Sequence, residues 1–70
     1  MARRILWDRR RNPIRYVSQS LGLEERQLRD AIHAIKRRSG LSGTDRVIIY
    51  TDGAVESEGG KLLGNVHDEV

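Results

Sequence analysis

Seventy residues with thirteen Lys+Arg, ten Asp+Glu and no cysteine carry a net charge of +3. A chain this short builds one modest core, burying only about 60% of the surface its unfolded form exposes, which excludes separate cofactor and substrate domains. The lack of cysteine excludes disulfides and thiolate metal sites, leaving acid/base or binding chemistry on a small surface.

The net charge is an average over two unlike halves. Residues 1–38 hold eleven basic and four acidic side chains, whereas 39–70 hold two and six. Clustered Lys and Arg favour a polyanion partner, because each phosphate they neutralise releases condensed counterions. Nucleic acid is therefore the expected partner of the basic half, and mutual attraction between the halves is the competing structural explanation.

In chain order, Met1-Ala2-Arg3-Arg4 runs into Ile5-Leu6-Trp7-Asp8, which is not a signal-peptide apolar region. No stretch approaches the roughly 18–20 apolar residues of a membrane span. A soluble chain off the membrane is expected, cytoplasmic if it stands free. Residues 1–11 read as a basic arm or short strand, its apolar residues anchoring the Arg9, Arg10 and Arg11 run. Asn12-Pro13 is a helix start, with Asn12 placed to cap and Pro13 at the first helical position. A helix over 13–21 follows, with Ile14, Val17 and Leu21 on one side and Gly22 suited to the left-handed position that ends it.

A second helix over 24–38 opens on Glu24 and Glu25 and closes on Lys36, Arg37 and Arg38, matching the helix dipole at both ends. Leu28, Ala31, Ile32 and Ile35 form a single apolar stripe. Ser39-Gly40 stops it. After a turn-rich 41–45, the β-branched run at 46–51 reads as a strand covered on both faces or centrally placed. Asp52-Gly53 marks a tight turn, 54–57 the returning strand, Gly59-Gly60 a second turn and 61–66 a third strand. The expectation is a single α+β domain: an arm (1–11), a helical hairpin (12–38) and a three-stranded antiparallel β-meander (44–67) on which two helices pack.

On a wheel of about 100° per residue with Leu28 at zero, Arg26, Arg29, His33, Lys36 and Arg37 fall between about 80° and 180°, clear of the apolar stripe. Within this cationic band, His33 and Lys36 stand at i and i+3, near enough to touch one phosphate. An imidazole exchanges protons near neutral pH and an ammonium stabilises charge on a phosphoryl oxygen, the two capacities that metal-independent RNA cleavage needs. His67, near Asn65 and Asp68, is a second acid/base candidate if the last strand brings it beside the helix. Arg15 and Arg9, Arg10 and Arg11 extend the phosphate contacts. Two histidines among scattered carboxylates have no zinc spacing, so neither metal nor cofactor is expected.

A rival reading uses the same residues without chemistry. Val17, Gly22, Leu23 and Leu28 have the spacing of a helix-turn-helix, which would turn Arg26, Gln27, Arg29 and His33 toward a DNA major groove and make the Asp52-Gly53 hairpin a wing. A third reading is a protein-interaction module that self-associates through open strand edges.

Taken together, Ala31-Ile32-His33-Ala34-Ile35-Lys36, Asp52-Gly53 and Leu63-Gly64-Asn65-Val66-His67-Asp68 resemble the C-terminal effector tails of bacterial polymorphic secreted toxins, in which an AIHxIK helix precedes a β-meander closing on GN-x-x-D. The layout is also similar to the barnase/colicin-type ribonucleases. This resemblance implies a small toxin module, delivered or secreted, acting on RNA rather than DNA, with a cognate inhibitor protein or a second copy as partner. It implies catalytic roles for His33 and Lys36, with Asn65 and His67 as further site residues.

Overall fold

A computed structural model describes residues 4–8 and 12–70. Strand β1 (Ile5–Trp7) leads to helices α1 (Ile14–Leu21) and α2 (Glu25–Arg38), followed by strands β2 (Val47–Tyr50), β3 (Ala54–Ser57) and β4 (Leu62–Asn65) and a 3-10 turn (Val66–Asp68). The class is α+β, as expected, but the sheet has four strands in the order β1-β2-β3-β4, all antiparallel. The expected three-stranded meander omitted β1, which joins the edge of β2 with Ile5 opposite Tyr50 and Trp7 opposite Ile49. A three-residue strand is too short for alternation to show in a sequence. What secures it is tertiary: Leu6 is buried in the core, and Thr51 donates its N–H to the Arg4 carbonyl at 2.9 Å.

The start of α1 also differs from expectation. Asn12 does not cap; its side-chain amide donates to the Leu6 carbonyl at 2.7 Å and its φ is +34°. Pro13 takes the capping position, and its carbonyl accepts from Tyr16 and Val17. Both helices end in the same motif. The Leu23 N–H reaches the Ser18 carbonyl and the Gly22 N–H that of Gln19; at the end of α2, Leu41 reaches Lys36 and Gly40 reaches Arg37. These paired bonds define a Schellman closure, whose left-handed position Gly40 fills at φ +77°. The closure folds Leu23 and Leu41 back against the core.

Leu28, Ala31 and Ile35 of α2 are buried, with Ile32 half-buried at the margin of the stripe. They meet Val17 and Leu21 of α1, Val47, Ile49 and Val55 of the sheet, and Val66 of the 3-10 turn in one core. Strand β2 is central, paired with β1 on one edge and β3 on the other, as one of the two expectations had it, but it is not covered on both faces: Val47 and Ile49 are buried, whereas Ile48 and Tyr50 are half-buried on the face away from the core. There the Tyr50 hydroxyl donates to Glu56 Oε1 across to β3 at 2.8 Å.

The C-terminal end of α2 packs against β4 and the 3-10 turn. Gly64 lies under this end of the helix, where a Cβ would stand in ordinary contact with Ile35 Cγ1 at 3.5 Å and 3.1 Å from a guanidinium nitrogen at the flexible end of Arg38. Arg38 passes over it to form a 2.8 Å ion pair with Glu69, tying the basic half to the acidic half. Since the Arg38 side chain is 55% exposed, Arg38→Ala is expected to lower stability by no more than about 1 kcal/mol, read as a small shift of the urea midpoint with unchanged slope.

Candidate nucleic-acid interface

Burying the Leu28, Ala31 and Ile35 stripe turns the opposite side of α2 to solvent. Arg26, Arg29, His33 and Arg37 are exposed and Lys36 is half-buried. Two of the predicted phosphate contacts lie near a carboxylate: Arg15 and Arg29 each approach Glu25 at 3.7 Å. Such exposed pairs are worth roughly 0–1 kcal/mol, so an anionic ligand can compete for both guanidinium groups. Arg26, His33 and Arg37 have no ion pair or side-chain hydrogen bond among the described residues. Arg9, Arg10 and Arg11 lie outside the described residues.

His33, Lys36 and Arg37 come together in an open hollow of about 290 Å³, whose other walls are Leu41 and Gly43. The helix supplies one side and the loop after it the other. That loop is held by its own bonds: the Ser42 N–H donates to Asp45 Oδ2 at 2.8 Å and the Asp45 N–H to the Ser42 carbonyl at 3.1 Å. Lys36 Nζ donates to the Gly43 carbonyl at 3.2 Å, linking the two walls. An ammonium has three protons to donate, so this bond leaves two for a ligand. An imidazole, an ammonium and a guanidinium are groups able to donate hydrogen bonds to a phosphate or similar anion.

Asn65 and His67 form a separate group. Asn65 donates its side-chain amide to the Asp52 carbonyl at 3.1 Å and accepts from the His67 N–H at 2.9 Å, capping the 3-10 turn. Its carboxamide is thus spent on holding the end of β4 to the β2–β3 turn. The His67 ring packs on Gly53, where a Cβ would come within 2.6 Å of Cδ2. His67 is not a wall of the hollow, and among the described residues no hydrogen bond or ion pair joins the two histidines.

Sequence reasoning paired His33 with Lys36 but missed Leu41 and Gly43. The available signal was Gly40-Leu41, a glycine and an apolar residue just past a helix end, which is the pattern of a fold-back closure. Among the described residues, no three His, Asp or Glu side chains are grouped to hold a metal ion, and no helix is long and apolar enough to cross a membrane. No family model, curated protein or solved structure matches the chain.

Proposed function

We propose that this chain is a toxin-like RNA-binding domain with metal-independent endoribonuclease chemistry at His33. The observation that carries the reading is the convergence of His33, Lys36 and Arg37 on one hollow, on a helix whose remaining exposed face is also basic. In this reading Lys36 and Arg37 hold a backbone phosphate, and His33 accepts the proton of the adjacent 2′-hydroxyl. The 2′-oxygen attacks phosphorus and the bond to the 5′-oxygen breaks. The imidazolium returns the proton to that leaving oxygen, and a 2′,3′-cyclic phosphate remains. Lys36 offsets the charge that develops on the phosphoryl oxygens.

The duplex-DNA reading has less support from the same side chains. Gln27, one of its groove-facing residues, uses its side-chain oxygen to accept from the Glu24 N–H at 3.1 Å, and Arg29 leans toward Glu25.

Incubating the chain with total RNA and with duplex DNA in chelator, following both retention and cleavage, tests the reading. His33→Ala is expected to abolish cleavage while leaving the unfolding curve unchanged within about 0.5 kcal/mol, because the side chain is exposed. Undiminished cleavage by that variant would remove His33 from the chemistry. Neutralising Lys36 and Arg37 is expected to weaken retention and to flatten the salt dependence by about 0.7 in log–log slope for each single-strand phosphate left without its cation.

A further inference from the structure

We infer that the hollow on α2 is a seat for one unpaired nucleotide, its phosphate toward Lys36 and Arg37 and its base lying on Leu41. The inference rests on the RNA-binding reading and names the unit of RNA that the site takes. Size supports it first. At about 290 Å³ the hollow lies at the lower limit of the roughly 300–1,000 Å³ of small-molecule sites, which suits one nucleotide rather than a base pair.

The distribution of chemistry around the walls supports it next. Cations occupy the helix side, whereas the loop side presents a half-buried leucine and an exposed glycine backbone. A free phosphate needs only the first side. An apolar surface beside a phosphate site matches the other half of a nucleotide, whose base has a flat apolar face once it is unstacked. Inside a duplex that face is covered by neighbouring base pairs, so the seat selects single-stranded or looped RNA.

Preorganisation is the third support. Leu41 is placed by the closure of α2, with its N–H on the Lys36 carbonyl at 2.8 Å, and Lys36 Nζ holds Gly43 across the hollow. Both walls therefore stand in position without ligand, and binding has little loop ordering to offset.

The test is an NMR titration of the full chain with uridine and adenosine 3′-monophosphates, ribose 5-phosphate and inorganic phosphate. The nucleotides are expected to bind about tenfold more tightly than phosphate and to shift the Leu41 methyl and Gly43 amide resonances. Leu41→Ser is expected to bring nucleotide affinity down to that of phosphate, and Leu41→Met to retain it. The methyl shifts of the unaltered chain give the same answer should Leu41→Ser fold poorly. Single-stranded RNA is expected to outcompete a duplex of the same sequence. Equal binding of phosphate and nucleotide, or no Leu41 response, overturns the seat while RNA retention keeps the wider reading. Nucleotide binding without any RNA retention overturns the wider reading and leaves the seat.

Discussion

Gly53→Ala is expected to destabilise this protein by about 3 kcal/mol, the sum of two separate penalties. Gly53 has φ +88°, and a side-chain-bearing residue in the left-handed region costs about 1–2 kcal/mol. A Cβ would also lie 2.6 Å from His67 Cδ2 and 2.7 Å from Asn65 Oδ1, and overpacking of this kind costs about 1–3 kcal/mol. Domains of this size rarely hold more than about 3–5 kcal/mol from one core, so the variant is expected to be largely unfolded in mild urea where the parent is folded. Far-UV circular dichroism across a urea series reads the loss. A double-mutant cycle separates its causes: with His67→Ala in the background, the cost of Gly53→Ala should fall by about 1 kcal/mol, because the ring is gone and only the backbone strain and Asn65 remain. Strictly additive costs would show that His67 does not pack there in solution.

Ile35→Ala is expected to cost more than any substitution on the exposed side of α2. Ile35 is fully buried and seats its side chain against Gly64 where α2 meets β4. Removing it deletes buried methyl groups and leaves a cavity between helix and sheet, typically about 2–5 kcal/mol, which exhausts the stability of a chain this small. The half-buried Ile32, three residues earlier, should lose much less when truncated. Thermal melts of the two variants beside His33→Ala make the comparison. A midpoint for Ile35→Ala within a degree or two of the parent would mean that α2 does not dock on β4 as described.

The elements legible from sequence were those with local causes. The α2 stripe and its charge-matched ends, the glycine after α1, and the Asp52-Gly53 and Gly59-Gly60 turns each depend on residues within a few positions of one another, and each stands where the pattern put it. The illegible parts depended on distant partners. Asn12 reads as a cap by composition, yet its amide goes to Leu6, a strand residue whose position is set by pairing with a segment more than forty residues away. The 46–51 run reads as a central or doubly covered strand; its central place is as read, but β-branched residues say nothing about which face meets a helix, and only docking of α1 and α2 on one face made Ile48 and Tyr50 the less buried pair.

The candidate site divides in the same way. The adjacency of His33 and Lys36 follows from helical spacing alone, and so does the separation of Arg38, which the wheel puts on the opposite flank of the stripe from His33 and which reaches Glu69. Whether Asn65 and His67 belong with them could not be read locally, since it depends on where β4 ends relative to the β2–β3 turn, and the structure seats both against Gly53 and Asp52. By itself, then, the sequence determined a basic amphipathic helix with an imidazole in its charged face, because periodicity and charge are properties of neighbouring residues. The tertiary structure decided that β1 completes the sheet, that Asn65 and His67 gather about the Asp52-Gly53 turn, and that Leu41 folds back to make a hollow beside His33. Each of those outcomes rests on burial and backbone bonding between segments that only folding brings together.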